Sequence, residues 1–156
     1  MNALRRMPIG TQDFELLRSN GDLYVDKTQY IEKLFLFGRV FFLSRPHRFG
    51  KSLFLSTLKA YFEGRNDLFE GLYIAEREEE IARWERRAPW EASPVLYLEL
   101  NAEDFSSSDA LANCLETHLA AWEAQYGSTG VAKTLAGRFR AVVQRACEKM
   151  GKQVVI

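Results

Sequence analysis

The stretch Arg45-Pro46-His47-Arg48-Phe49-Gly50-Lys51-Ser52 decides the fold that the sequence predicts. It ends in the Gly-Lys-Ser of a phosphate-binding loop of the Walker A type, but Arg45 stands where that motif has its first glycine. Residues 40–43, an apolar run of strand length, precede it, and residues 53–62 continue it with a helical pattern. A strand, a turn and a helix in this order are the context in which a Gly-Lys-Ser triplet predicts phosphate binding.

Three features of this stretch suit the negative charge of a phosphate group. Backbone N–H groups between Arg48 and Ser52 can turn inward as an anion-binding nest, and the following helix directs its positive end to the same place. Lys51 adds a full positive charge that can reach β- and γ-phosphates, and the Ser52 hydroxyl suits a Mg²⁺ ion that bridges them. A glycine is expected at Gly50 because a Cβ would obstruct the approach of the backbone to a phosphate.

The start of the loop departs from the motif. Pro46 fixes its own φ and favours an extended Arg45, so these two residues can replace the usual glycine. Arg45, His47 and Arg48 also add donors near the phosphates. The predicted nucleotide phosphate-binding residues are Arg45, Arg48, Phe49, Gly50, Lys51 and Ser52. Ser52 is also the predicted Mg²⁺ ligand, and no catalytic residue is predicted.

Composition and charge limit the class of protein. The 156 residues are enough for one domain with a buried core, and 47% of them are hydrophobic. The 21 basic and 21 acidic side chains cancel, so net charge indicates no attraction to nucleic acid or to a membrane surface. No apolar run reaches about 18 residues, so no membrane span is predicted. Cys114 and Cys147 lack metal-type spacing and are expected to be reduced core thiols of a cytoplasmic protein.

Two further apolar runs indicate more strands. Residues 95–100 are almost continuously hydrophobic, as buried parallel strands are, and residues 154–156 begin a third run. Helices are predicted before and between these runs, near 13–19, 26–37, 53–62, 76–87, 109–126 and 135–150. N-cap candidates for the fifth helix lie at 106–109. The alternation predicts an α/β, P-loop NTPase-like domain of three layers with a mainly parallel sheet. Because the sequence stops inside the third run, we expect an incomplete domain, truncated at its third core strand.

Four blocks of the sequence resemble a known family. They are MPIGTQDF at 7–14, LYVDKTQYI at 23–31, FLSRPHRFGKSL at 42–53 and LSTLKAYFEG at 55–64. Together they resemble the N-terminal domain of the bacterial AAA-ATPase-like proteins, whose loop is typically Arg-Pro-Arg-Arg-Phe-Gly-Lys-Ser. In that family an arginine at the position of Arg45 is usual, whereas His47 stands where an arginine is common.

The resemblance implies ATP and Mg²⁺ as ligands. It also implies that a Walker B Asp-Glu pair and further strands follow a strand such as 154–156, and that many members continue into a domain resembling PD-(D/E)XK nucleases. We therefore expect residues 1–156 to be the N-terminal part of such a P-loop domain, with N-terminal helices over 1–38 and a P-loop core fragment over 39–156.

The expected function is the ATP-binding portion of an AAA-ATPase-like protein that cannot hydrolyse ATP alone, and whether this chain is an enzyme stays open. The alternatives are a non-catalytic P-loop scaffold or interaction module, or a decayed gene fragment. A nucleotide kinase ranks last, because no arginine-lined lid is visible.

The second block carries two competing roles. Asp26 and Gln29 match a capping box, so Asp26 is predicted to be the N-cap of the second helix. Tyr24, Asp26 and Tyr30 are also candidates to flank a nucleotide base, and the alternative is that they serve capping and core packing.

Overall fold

The fold was analysed in a computed structural model, which describes residues 6–46, 48–100, 108–128 and 130–156, with only the backbone at Ser108. The described chain is helical and divides into two compact units, Met1–Ala92 and Ser93–Ile156. The helices are α1 (Phe14–Ser19), α2 (Gln29–Phe37), α3 (Lys51–Phe62), α4 (Tyr73–Trp84), α5 (Ser108–Tyr126) and α6 (Leu135–Met150), with a short 3-10 helix at Asn66–Leu68.

The predicted α/β fold is wrong for the described residues, because they contain no sheet. Residues 40–43 form no strand, and Val40 and Phe42 are 94% and 93% exposed. The predicted second and third strands meet in one isolated parallel bridge between Val95 and Val155. Leu96 N donates to Val155 O at 2.8 Å, and Val155 N donates to Pro94 O at 2.9 Å.

The physical reason for this error is that an apolar run specifies an extended, buried segment but not a partner. A strand is stable only when neighbouring backbone satisfies its N–H and C=O groups. Periodicity within residues 40–43 carries no information about that partner. The single bridge at Val95 is all the strand pairing that the described chain provides.

The helix predictions agree better with the structure. α1 ends at Ser19 and α6 ends at Met150, as predicted. The C-cap of α1 is Asn20, and that of α6 is Gly151 in a left-handed conformation. The fourth helix starts at Tyr73, three residues earlier than predicted. Residues 106 and 107, predicted as N-cap candidates of α5, lie outside the described residues.

Aromatic rings form the core of the first unit. The ring of Phe69 lies 4.9 Å from that of Phe14 and 5.2 Å from that of Trp90. Tyr61 of α3 adds an edge-to-face contact with Trp90, at a centroid separation of 5.7 Å. Tilted and edge-on pairs of this kind contribute stability beyond the area they bury. α3 is therefore packed against an aromatic core.

Polar contacts fix α3 to the two segments that precede it. Phe14 N donates to Ser56 Oγ at 2.9 Å, and that hydroxyl lies 2.9 Å from Leu53 O, to which it donates. Thr57 is fully buried, and its hydroxyl lies 3.5 Å from the Tyr24 hydroxyl. Because α3 begins at the Gly-Lys-Ser triplet, these contacts also hold the end of the loop.

Asp26 joins α2 to α4 instead of capping α2. The residue before α2 is Thr28, which makes no side-chain capping bond, so the predicted capping box is wrong. Asp26 Oδ1 accepts from Thr28 N at 2.8 Å, and Oδ2 accepts from Tyr73 N at 2.7 Å, in the first turn of α4. The Thr28 hydroxyl accepts from Ile74 N at 3.1 Å. The carboxylate and the hydroxyl thus satisfy two of the free N–H groups at the start of α4.

We expect the first unit to lose stability in acid. Hydrogen bonds from Arg77 and Tyr73 hold the pKa of Glu32 below its usual range. Burial pushes the pKa of Asp26 upward, but the N–H groups of Tyr73 and Thr28 outweigh it and leave that pKa lowered too. A carboxylate with a lowered folded pKa contributes stability above its unfolded pKa, about 4, and loses it as pH falls through the folded value.

Urea unfolding of the chain at pH 7 and at pH 3 measures this loss. The midpoint should be lower at pH 3, and Glu32→Gln should show a smaller difference between the two pH values. Equal midpoints for the wild-type chain at both pH values would contradict the expectation.

The second unit is built on α5 and α6. Leu119 and Trp122 of α5 and Val142 and Ala146 of α6 are buried in one cluster, and both helices lie close to the ranges that the sequence predicts. Arg138 donates to both carboxylate oxygens of Glu123 at 2.9 and 2.7 Å, a bidentate pair that ties α6 to α5. The two cysteines are free, and Cys114 is buried.

Among the described residues, no helix is both long and apolar enough to cross a membrane.

Candidate phosphate-binding site

The backbone turns sharply just before α3. Gly50 is the N-cap of α3 with φ 77° and ψ 22°, and Arg48 also has a positive φ of 65°. A Cβ built on Gly50 would meet no protein atom within 4 Å. The left-handed backbone conformation therefore explains why position 50 is a glycine, because residues with a side chain adopt that conformation at a cost in free energy. The predicted obstruction of a phosphate is a separate reason and stays a prediction.

Lys51 folds back across the loop. Its Nζ donates to Arg45 O at 2.6 Å and to Pro46 O at 3.2 Å. Phe49 N donates to Pro46 O at 3.4 Å, so the chain turns between these residues. The ammonium group thus lies between the start of the loop and the first turn of α3.

The electrostatic character of this place is positive. Arg45 and Arg48 are exposed, and Lys51 is half-buried at the N-terminal end of a 12-residue helix. The first turn of α3 contains no acidic residue. Free N–H groups, the helix dipole and the lysine therefore favour an anion at the same end of α3. Ser52, in that first turn, is half-buried beside Lys51.

An apolar pocket of about 300 Å³ adjoins the loop. Phe49 and Gly50 of the loop lie in its wall together with apolar side chains from three segments. These side chains are Tyr30, Leu34, Phe37, Phe41, Leu43 and Phe54. We name this feature the loop pocket.

Three cations also line the loop pocket, namely Lys27, Lys33 and Arg45. Lys33 Nζ lies 5.0 Å from the centre of the Tyr30 ring, and Arg45 Cζ lies 6.0 Å from it. The Tyr30 ring meets that of Phe54 edge to face at 6.3 Å. Cations over an aromatic face are attracted to it, so this wall combines apolar surface with positive charge.

The structure separates the three residues predicted to flank a base. Tyr24 packs its ring 5.1 Å from that of Phe14, in the core, and Asp26 is occupied by Thr28 and Tyr73. Only Tyr30 of the three lies in the loop pocket. The sequence did not predict the other walls, because it indicates a strand over residues 40–43 and a helix over residues 26–37, with no pocket between them.

A second depression, of about 560 Å³, lies elsewhere in the first unit beside Arg18 and Asp67. The Arg18 guanidinium there donates to Leu68 O and Glu70 O, both at 2.7 Å. Asp67 and Glu70 also line this depression, so its charge is mixed. The loop pocket is lined by cations and by no described carboxylate, and the loop with its pocket is therefore the better candidate site for an anion.

Comparison with known proteins agrees with the sequence blocks. A family model described as "Predicted AAA-ATPase" matches residues 8–156, so the chain belongs to the AAA-ATPase-like family. This confirms the resemblance. A protein of Azotobacter chroococcum mcd 1, named "Uncharacterized protein in vnfD 5'region", is 34% identical over 153 residues. That match covers 97% of this chain and 28% of the relative, so the chain spans about 28% of the length of the curated protein it matches. No solved structure matches the chain.

Proposed function

We propose that residues 45–52 bind the phosphates of ATP, and that the chain is the ATP-binding portion of an AAA-ATPase-like protein. The observation that carries the proposal is the position of the Lys51 ammonium, bonded to Arg45 O and Pro46 O at the N-terminal end of α3. The choice of ATP rests on the family.

Each predicted residue has a role in this proposal. Lys51 exchanges its carbonyl partners for phosphate oxygens, which are stronger acceptors because they are charged. Gly50 supplies the left-handed conformation that exposes backbone N–H groups, and Phe49, whose N–H donates to Pro46 O, forms the turn that precedes it. Arg45 and Arg48 add charge that attracts the nucleotide and reaches its outer oxygens.

Ser52 fits the Mg²⁺ ion that accompanies ATP. It stands in the first turn of α3 beside Lys51, and its hydroxyl is a hard oxygen ligand of the kind Mg²⁺ prefers. When bound, Mg²⁺ would neutralise charge on the β- and γ-phosphates.

We extend the proposal to turnover: this chain binds ATP without hydrolysing it. The described side chains of the loop and loop pocket are cationic, hydroxyl-bearing or apolar, and none is a carboxylate that could orient or deprotonate an attacking water. A rate of phosphate release well above that of Lys51→Ala would contradict this. The truncation before a Walker B strand and a nuclease-like partner domain stay predictions.

A second candidate function is an interaction module, and the exposed apolar segment favours it. Val40 and Phe42 are 94% and 93% exposed, and Phe37 is 75% exposed. Contiguous exposed apolar side chains often mark interaction sites. In that case the loop would be a scaffold, and nucleotide would not stabilise the chain.

Thermal unfolding with and without Mg·ATP separates the two functions. At a nucleotide concentration about 100 times Kd, ligand linkage should raise the Tm of the wild-type chain by roughly 5–10 °C. Lys51→Ala should show little or no rise, whereas Lys59→Ala, which removes a lysine from the same helix, should behave as wild type. Equal rises in wild type and Lys51→Ala, or none in either, would refute the phosphate loop.

A further inference from the structure

We propose that the loop pocket receives the base of the nucleotide, and that Tyr30 is the side chain on which the base stacks. This inference rests on the proposed function, because it places the second half of a ligand whose phosphates residues 45–52 bind. It adds a site that the loop motif does not contain.

The first reason is that the loop and the pocket share residues. Arg45, Phe49 and Gly50 belong to the loop and also line the pocket. A ligand held by Lys51 through its phosphates therefore has the pocket directly beside it. Of the molecules that combine a polyphosphate with a flat apolar ring, a nucleotide is the one that the proposed function supplies.

The second reason is the size and surface of the pocket. Its volume of about 300 Å³ is at the lower end of the range for small-molecule sites. That is enough for a planar base but small for a whole nucleotide, whose phosphates would lie outside at the loop. The wall offers the rings of Tyr30, Phe41 and Phe54. Aromatic rings are the usual stacking partners of bases.

The third reason is charge, which distinguishes a nucleotide from an apolar protein segment. Lys27, Lys33 and Arg45 stand at the pocket, and Lys33 and Arg45 lie over the Tyr30 ring. A purely apolar partner would leave these cations without compensation. A nucleotide brings negative phosphates and an aromatic ring together, so it satisfies both parts of the surface.

The test uses two probes, Mg·ATP and inorganic Mg·tripolyphosphate, titrated into the full chain. The second probe has the phosphates but no base. Wild type should bind ATP more tightly than tripolyphosphate. Tyr30→Ala should weaken ATP binding roughly 5- to 100-fold and change tripolyphosphate binding less than about twofold. Tyr30→Phe, which keeps the ring, should restore ATP binding.

Two further variants distinguish a specific loss of binding from a general loss of structure. Leu34→Trp should fill the pocket and weaken ATP binding selectively, as Tyr30→Ala does. Phe42→Ala, at a position 93% exposed and outside the pocket wall, should leave both probes unaffected.

The outcomes distinguish failure of the proposed base pocket from failure of the proposed phosphate loop. If Tyr30→Ala and Leu34→Trp weaken both probes equally, or neither probe, the base pocket is refuted while the phosphate loop stands. If Lys51→Ala leaves both probes unchanged, the phosphate loop is refuted. Selective loss of ATP binding in both pocket variants, together with loss of both probes in Lys51→Ala, supports the base pocket.

Discussion

Replacement of Glu78 by alanine should lower the free energy of unfolding of the first unit by about 3–5 kcal/mol. Glu78 is 1% exposed. One of its carboxylate oxygens accepts from Arg87 Nη1 at 2.6 Å and from Trp90 N at 2.8 Å, and the other accepts from the Tyr61 hydroxyl. Burial and the hydrogen bond to Glu78 raise the pKa of Tyr61 well above its usual value, so the phenol remains a donor.

The expected loss is large because alanine would leave three donors without their acceptor. The Arg87 side chain is only 19% exposed and would keep its charge, and the Trp90 N–H would lose a partner in the core. A buried group left unsatisfied costs its full desolvation energy. Urea unfolding followed by circular dichroism measures the loss.

Glu79→Ala is the matched control for this prediction. Glu79 neighbours Glu78 on α4 and is exposed, so its removal should change stability by no more than about 0.5 kcal/mol. Similar small losses for both variants would show that the buried carboxylate does not hold α3, α4 and the Trp90 segment together.

Gly64→Ala should lower the free energy of unfolding by about 3 kcal/mol, for two separable reasons. Gly64 follows α3 with a φ of 74°, which alanine adopts at a cost. A Cβ at this position would also lie 2.6 Å from Trp90 O, a backbone atom that cannot rotate away. The segment around Trp90 would have to move.

Gly71→Ala isolates the first of these costs. Gly71 has nearly the same φ, 73°, but a Cβ there would meet nothing within 4 Å. Its replacement should cost about 1–2 kcal/mol, from conformation alone. Urea midpoints of the two variants give the difference, and equal losses would contradict the close approach of Trp90 to the end of α3.

Local features of the fold were predictable from the sequence. The ranges of α5 and α6 were close to those predicted, because helical periodicity depends on spacing within one segment. The partner of Asp26 was not predictable, because Tyr73 N lies 47 residues away and the local capping box was an equally good match. The prediction of a parallel sheet was wrong for the same reason. Strands need partners that no single segment specifies, and within the described part of the chain only Val95 and Val155 pair.

The candidate site also has one part that the sequence predicts and one part that only the structure shows. The proposed phosphate loop is contiguous, so a motif of eight residues predicts it, and the structure adds the contact of Lys51 with the start of the loop. The loop pocket is assembled from α2, from the segment that contains Phe41 and Leu43, and from α3. Apart from the loop residues Arg45, Phe49 and Gly50, only Tyr30 among the residues that line the pocket was a candidate from the sequence.

Calorimetric titration of Mg·ATP into the full chain and into Lys51→Ala tests the phosphate loop most directly. We predict saturable binding at one site per chain, weakened at least about tenfold by the substitution, because a charge-assisted hydrogen bond to phosphate is lost. Equal affinity in the two proteins, or no saturable binding to the wild-type chain, would contradict it.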